Sequence, residues 1–231
     1  MSSRNTWWGK TLRIIGIVLM SLTAAFTIMG GAGTSCVALN PTGFGEKFAA
    51  IARVQWLYVL FVLVTLAIGI MGVRAVVLLV KGTKNAYRYT MIALALGILV
   101  GGGHMAASRL LRGSSMPVDM VVYTTALALI VFLLFRIPGV WQGVNFEKPV
   151  AEKTTGRLAA AIALGASGLL VLSIQFIMAP THSIDGMNYA DVWHSALTLI
   201  GLGLVLAGIA RASAWKLVRF ALARNSRTST A

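Results

Sequence analysis

Six apolar runs, each of about 20 residues, constrain this chain more than any other feature. They lie near residues 11–30, 54–79, 89–109, 118–136, 157–179 and 192–211. A helix of that length crosses the roughly 30 Å hydrocarbon core of a bilayer and satisfies its own backbone hydrogen bonds. The composition agrees, because only 11% of the residues are charged, against about 25% in soluble domains. We therefore predict an all-α polytopic membrane protein, a six-transmembrane-helix bundle with short loops.

The segments between the runs are too short to hold a soluble domain, so we expect residues 1–231 to form a single membrane domain. The first run follows three basic residues, as a secretory signal would, but the residues before Cys36 make a poor cleavage site. We interpret this run as a retained transmembrane helix. The second run begins with Trp56 and Tyr58, which we interpret as an interfacial aromatic anchor.

The basic residues sort by the side of the membrane on which six crossings would place them. Both termini and the loops near 80–88 and 137–156 fall on one side. That side carries Arg4, Lys10, Arg13, Arg74, Lys81, Lys84, Arg88, Arg136, Lys148, Lys153, Arg157, Arg211, Lys216, Arg219, Arg224 and Arg227. The other side carries only Lys47, Arg53, Arg109 and Arg112. This asymmetry is the positive-inside pattern, so we predict a multi-pass protein of the cell (inner) membrane with cytoplasmic N- and C-termini.

The net charge of +14 therefore concerns topology, and we expect anionic lipids at the cytoplasmic face. No basic segment is interleaved with a motif that reads nucleic acid, so no nucleic-acid partner is predicted. Residues 212–231 are predicted to form a cytoplasmic amphipathic tail, in which a basic interfacial helix puts Trp215, Val218 and Leu222 on one side. The single cysteine, Cys36, excludes an internal disulfide.

The third run contains the stretch GGGHMAASR, residues 101–109, in which an ionisable ring follows three glycines. On a helix, one stripe of this run holds Ala93, Gly97, Gly101, His104 and Ser108. Small residues let another helix approach closely, so His104 is expected to face protein and to need a polar partner there. The sixth run repeats the pattern after His194. Helix packing is predicted at Gly97, Gly101, Gly201 and Gly208.

All three histidines are predicted on the non-cytoplasmic side, together with most of the acids. Ionisable groups inside a membrane protein are candidate functional residues. The candidates for holding a ligand or cofactor are His104, His194, Tyr123, Arg109, Arg112 and Gln175. The candidates for a metal site are His182, Asp185, Asp191 and His194. No complete catalytic set is found, and no catalytic residue is predicted.

Three cofactor chemistries are open for this outer polar pocket. Two histidines on different helices could ligate haem iron, with an arginine beside its propionates. The metal-site candidates have ligand types that suit a transition metal, zinc or copper. A quinone or other amphiphile could lie between spans, held by His104 or His194 and by Tyr123. The alternative is structural: these groups satisfy one another, Asp119 lies at the N-terminus of the fourth span, and Asp191 is the N-cap of the sixth.

The stretch GASG, residues 165–168, followed by His194 on the next helix, resembles the serine and histidine of rhomboid intramembrane proteases, which also have six spans. The predicted topology places Ser167 at mid-depth or nearer the cytoplasm and His194 at the outer surface. A nucleophile and its base must come within hydrogen-bond reach, so protease activity is not expected. Close helix packing is the simpler interpretation of this stretch.

We expect a non-enzymatic integral membrane subunit of a larger membrane assembly, packed against other membrane subunits and linked to electron transfer or quinone. The small-residue stripes and the outer polar pocket, without a catalytic set, support this hypothesis. The alternative is a small solute transporter or a substrate-binding membrane component. No acid lies at mid-membrane, which counts against a proton-coupled transporter.

Overall fold

A computed structural model describes residues 6–147, 153–184 and 187–228, and nearly all of them are helical. The long helices of this part are α1 (Trp7–Leu39), α3 (Gln55–Lys81), α4 (Ala86–Arg112), α5 (Val118–Leu134), α7 (Lys153–His182) and α8 (His194–Thr228). The shorter elements are η1 (Pro41–Phe44), α2 (Glu46–Ala49), η2 (Ala50–Val54), α6 (Pro138–Val144), β1 (Ser183–Ile184), β2 (Met187–Asn188) and η3 (Tyr189–Trp193), where η denotes a 3-10 helix. The two strands pair antiparallel and reverse the chain between α7 and α8.

The predicted all-α membrane bundle is confirmed. Five of the described helices are long and apolar enough to cross a membrane by themselves. Helix α5 has 17 residues, about 25 Å at 1.5 Å per residue, and it meets the same criterion only together with α6. Each of the six apolar runs coincides with one long helix.

The junction between α5 and α6 is bent by 100°. The residue before a proline is disfavoured in the helical conformation, and Ile137 has an extended ψ of 129°. Helix α5 therefore ends at Leu134, two residues before the predicted end of the fourth span. Pro138 opens α6, where a missing N–H costs nothing.

The long helices alternate in direction, so the bundle has two ends. At one end the start of α4 meets the end of α5, where the Tyr87 hydroxyl donates to the Phe132 carbonyl at 2.9 Å. At the other end the start of α3 meets the end of α4. We call the first the basic end, which carries the start of α1, residues 82–85 and α6. We call the second the histidine end, which carries residues 40–54, 113–117, 183–184 and 187–193.

Helix α1 lies at the centre of the bundle and packs against α3, α5 and α7, whereas α8 packs mainly against α7. Small residues make the central contacts close: a Cβ on Gly72 of α3 would lie 2.8 Å from the Cβ of Ala24. Hydroxyl groups of Ser21 and Ser167, 2.9 Å apart, link α1 to α7. The bundle is therefore a group of α3, α4 and α5 and a hairpin of α7 and α8, joined through α1.

Arg13 lies in the second turn of α1 and is only 3% exposed, although its position predicts a charge at the membrane surface. Its Nη1 donates to the carbonyls of Val144 (3.2 Å) and Asn145 (2.9 Å), and its Nη2 donates to the carbonyl of Leu79 (2.9 Å). The last carbonyls of a helix lack intrahelical donors and carry partial negative charge. Arg13 therefore ties the ends of α3 and α6 to the start of α1.

Aromatic rings pack around this guanidinium group. The Phe146 ring centre lies 5.4 Å from the Arg13 Cζ, and Phe146 packs in turn against Phe132 and Phe135, with ring centres 5.5 and 5.7 Å apart. Contacts with carbonyls and a ring face offset the cost of taking a cation out of water. The basic end is thus the tightly packed end of the bundle.

The predicted C-terminal tail is helical to Thr228, but it continues α8 instead of forming a separate helix. The reason lies in the sequence, because no glycine or proline follows Gly208 and most of the later residues favour helix. With 35 residues, α8 is about 52 Å long and exceeds the thickness of the hydrocarbon core. Residues 229–231 of the tail lie outside the described residues.

Cysteine labelling tests the two-ended topology. Lys47 and Lys84 are exposed and lie at opposite ends. In a Cys36→Ser background, we expect Lys47→Cys to react with a membrane-impermeant maleimide on intact spheroplasts. Lys84→Cys should react only after permeabilisation, because the positive-inside pattern predicts a cytoplasmic basic end. The reverse pattern would contradict the predicted orientation. Labelling of both cysteines on intact spheroplasts would contradict the placement of the two ends on opposite sides of the membrane.

Replacement of Arg13 tests the tie at the basic end. We expect Arg13→Met to lower the free energy of unfolding by about 3 kcal/mol or more, because three carbonyls, two of them buried, lose a charged donor. The control is Arg88→Met, which removes an exposed arginine from the same end. This control should change the free energy of unfolding by less than about 0.5 kcal/mol. Unfolding monitored in mixed micelles measures both, and equal effects would contradict a special role for Arg13.

Candidate functional site

The candidate residues of the histidine end separate into three groups on different helix pairs. Arg109, Arg112 and Tyr123 belong to the α4–α5 junction, His104 to the contact of α3 with α4, and Gln175 and His194 to the hairpin of α7 and α8. Within the described residues, these side chains do not converge on one outer pocket.

Arg109 joins the end of α4 to the start of α5. Its Nη2 donates to Asp119 Oδ2 (3.2 Å) and to Tyr123 Oη (3.4 Å), and its Nε donates to Ser115 Oγ (2.8 Å). Asp119 lies in the first turn of α5, where the helix dipole favours an acid. Because the Arg109 side chain is half exposed, the ion pair adds modest stability. Tyr123 is 55% exposed and contacts Arg109 instead of a histidine.

Arg112 connects α4 to the loop segments around it. Its Nη2 donates to the Met116 carbonyl at 3.3 Å, and its guanidinium lies over the Phe48 ring at 4.6 Å. Phe48 belongs to α2, so this cation–π contact holds residues 40–54 against the end of α4. Both arginines of the predicted ligand set therefore make helix-to-loop contacts within the chain.

His104 is 5% exposed and lies among aromatic rings of α3. Phe61 stacks on the imidazole with ring centres 4.7 Å apart, and Tyr58 meets it edge-on at 5.2 Å. The Tyr58 hydroxyl pairs with Ser108 Oγ at 2.9 Å. The ring thus faces protein, as the small-residue stripe predicts. Among the described residues, however, its Nε2 has no hydrogen-bond partner.

A small cavity lies beside His104, between α1, α3, α4 and α5. Its other lining residues are Thr27, Gly30, Gly31, Thr34, Val62, Thr65, Ile68, Gly97, Gly101, Val118, Val121 and Thr125. The volume open to the centre of a water molecule is about 20 Å³, which is room for one or two waters. Pockets for organic ligands measure roughly 300–1,000 Å³. A quinone ring does not fit into this cavity.

Gln175 and His194 close the hairpin of α7 and α8. His194 Nδ1 lies 2.8 Å from Gln175 Oε1, and the Gln175 side chain is buried. His194 is exposed at the start of α8. This pair satisfies a buried amide inside the hairpin, which agrees with a structural interpretation of these two residues.

The predicted N-cap at Asp191 is wrong. Asp191 lies inside η3, a 3-10 segment that the sequence reading did not separate from α8. The capping residue is Asn188, whose Oδ1 accepts from the Ala190 N–H at 3.0 Å. Asp191 Oδ1 instead accepts from Asn188 Nδ2 at 3.4 Å. The short 3-10 segment moved the cap three residues upstream.

The metal-site candidates have separate neighbours. His182 lies beyond the apolar span of α7, which ends at Ala179; burial lowers its pKa, and a hydrogen bond with the Met178 carbonyl partly opposes this. Asp185 lies outside the described residues. Within residues 6–147, 153–184 and 187–228, no three His, Cys, Asp or Glu side chains are grouped closely enough to hold a metal ion.

The arrangement does not pair histidines for haem. Helix α4 packs against α3 and α5, whereas α8 packs against α7, so His104 and His194 lie in different parts of the bundle. Axial ligation needs two imidazoles on opposite sides of one iron. The same separation keeps His194 away from Tyr123, the other residue considered for quinone.

Glycines make the close helix contacts. Gly97 and Gly101 face α5 and Gly201 and Gly208 face α7, and a Cβ on any of the four would lie 3.0 Å or less from its neighbour. In the GASG stretch, the Ser167 hydroxyl pairs with Ser21 of α1. Ser167 and His194 therefore do not form a nucleophile–base pair.

Tyr58, Phe61 and Ser108 are the residues that sequence reasoning missed. The sequence predicts an interfacial anchor at Trp56 and Tyr58, but of the two Trp56 is exposed, at 68%, whereas Tyr58 is buried. The spacing contained the signal, because Tyr58 and Phe61 are three residues apart and share a helix face. Ser108 lies one turn beyond His104 on the same stripe.

Comparisons of this chain with protein-family models, with curated proteins and with solved structures find no match. What the protein does must therefore be inferred from its own residues and contacts.

A pair of tyrosine substitutions tests the contact of α3 with α4. We expect Tyr58→Phe to lower the free energy of unfolding by about 1–2 kcal/mol, because the buried Ser108 hydroxyl loses its partner. The matched control Tyr123→Phe removes an exposed hydroxyl and should cost less than about 0.5 kcal/mol. The double variant Tyr58→Phe, Ser108→Ala should be less destabilised than the sum of its single variants. Additive effects would contradict the hydrogen bond.

Proposed function

We propose that this protein is a non-enzymatic subunit of a larger membrane assembly, and that α8 is the helix that meets a neighbouring subunit. The exposure of α8 carries this proposal. Only 11% of its apolar span is buried within the protein, against 28–39% for the other four independent spans. A helix with one neighbour presents most of its surface to lipid or to another membrane protein.

The outward side of α8 has the residues that favour a helix partner. Gly203 is exposed, and a Cβ there would meet nothing within 4 Å. Ala207, one turn later, is also exposed. Glycine costs a helix about 1 kcal/mol relative to alanine and offers lipid little surface, whereas small residues let a second helix approach closely. The occupant we infer is an apolar transmembrane helix of another subunit.

The polar contacts of the histidine end support a structural role for the described chain. Arg109 pairs with Asp119 and His194 pairs with Gln175, so these groups join one helix to the next. The cavity at His104 is too small for an organic solute, which weighs against the alternative of a transporter or substrate-binding component. His104 and His194 lie in different parts of the bundle and Tyr123 contacts Arg109, so these residues give no support to a link to electron transfer or quinone.

We also propose that the basic end faces the cytoplasm of an inner membrane and contacts anionic lipid headgroups. The guanidinium of Arg74 lies over Tyr89 at 5.2 Å, and that of Arg136 lies over Trp141 at 4.5 Å. Arginine stems and aromatic rings suit the boundary between hydrocarbon and water. These pairs are consistent with a headgroup layer at this end.

Two leucine substitutions test the role of α8. A Cβ on Gly203 or on Gly102 of α4 meets nothing within 4 Å, so both positions accept a side-chain branch without a clash at its first carbon. We expect Gly203→Leu to reduce co-purification of partner subunits from native membranes at least tenfold, or about 1.4 kcal/mol of association free energy. Gly102→Leu should retain them. Affinity purification in mild detergent with quantitative mass spectrometry measures both.

Two outcomes would contradict the proposal. If the wild-type protein leaves native membranes as a single species without stoichiometric partners, it is not a subunit. If partners are present and Gly203→Leu retains them as Gly102→Leu does, α8 is not the contact helix.

A further inference from the structure

The imidazole of His104 is buried with an unsatisfied nitrogen, which is unusual in a folded protein. Buried polar groups nearly always have partners, and leaving one without a partner costs about 1–3 kcal/mol. Within the described chain, Nε2 of His104 has none. Phe61 covers the ring face, and the Tyr58 hydroxyl is already paired with Ser108. The described part of the chain therefore does not supply the missing partner.

The cavity beside the ring has the size and the polar groups that a water molecule needs. Its volume of about 20 Å³ exceeds the roughly 10–15 Å³ that one water requires. Thr27, Thr34 and Thr125 line it, and the hydroxyl of each donates its proton to a carbonyl of its own helix. Their oxygen lone pairs can still accept hydrogen bonds. A water beside the imidazole would thus find several polar partners.

A second, smaller space continues from this cavity towards the middle of the bundle. Both are lined by Thr27, Ile68, Gly97 and Thr125, and the second reaches Met20 on α1. Its volume of about 10 Å³ is at the lower limit for one more water. About four turns before Thr27 on the same helix lies the packed region around Arg13, so the two spaces lead inward from the histidine end.

We infer that His104 anchors an internal water site, in which one or two water molecules bind between the imidazole and the threonine hydroxyls. The ligand is neutral water, because the lining contains hydroxyl groups and one imidazole and no carboxylate that would attract a cation. Glycines at 97 and 101 line the same space, which gives the glycine-rich stretch before His104 a second use. The site is independent of α8 and of any partner subunit.

X-ray hydroxyl-radical footprinting of the full chain in lipid nanodiscs tests this inference. Radiolysis creates radicals from internal waters in place, so it labels their neighbours even when these are buried. Val62 lines the cavity at 7% exposure and Val171 lies outside it at 6%; Ile68 lines it at 7% and Ile174 lies outside it at 8%. We expect the lining member of each pair to be oxidised several times faster. Equal rates within both pairs would overturn the inference.

Two variants assign the water to the imidazole. His104→Leu should reduce the oxidation of Val62 and Ile68 to the rates of Val171 and Ile174. Thr125→Val keeps the ring and the side-chain volume but removes one acceptor, so it should give an intermediate rate even if His104→Leu does not fold. Unchanged rates in Thr125→Val would overturn the assignment to this cavity. A high-resolution map showing a protein donor or acceptor within about 3.2 Å of Nε2 would do the same.

Discussion

A buried guanidinium group determines how the basic end of this bundle is built. In a bilayer, the free carbonyls at a helix end must find donors within the protein, and Arg13 supplies donors to α3 and to the segment after α6 at once. Helix α6 directly follows the bent end of α5. The contacts of Arg13 with the end of α6 therefore also restrict the position of the end of α5. The start of α4 follows through the hydrogen bond of Tyr87 with α5. One side chain on the central helix thus positions the neighbouring helices at this end.

The histidine end is organised differently. Its polar contacts each join only two helices: Tyr58 with Ser108, Arg109 with Asp119, and Gln175 with His194. No shared group binds all of them within the described residues. Space therefore remains beside His104, where threonine hydroxyls replace the aromatic packing of the other end. The two ends therefore differ in hydration. Small and hydroxylated residues on α1 line the space at the histidine end.

The helices could be predicted from the sequence because membrane thickness fixes the length of an apolar run. The glycine stripes predicted which faces of α4 and α8 meet protein, since spacing alone defines a helix face. The partners of Arg13 could not be predicted, because its carbonyl acceptors are 66 and more residues away along the chain and periodicity carries no information about them. The predicted cap at Asp191 failed because a 3-10 segment has no distinctive pattern.

The shortness of α5 has a consequence for the lipid around the protein. Its 17 residues give about 25 Å of helix, whereas the 27 residues of α3 give about 40 Å. A span shorter than the hydrocarbon core is matched by thinning of the bilayer, by snorkelling of flanking side chains or by association with another helix, each at a cost of a fraction of a kcal/mol per Å. The two flanks of one molecule thus present unequal hydrophobic lengths to the surrounding lipid, and the adjustment is confined to the α5 flank.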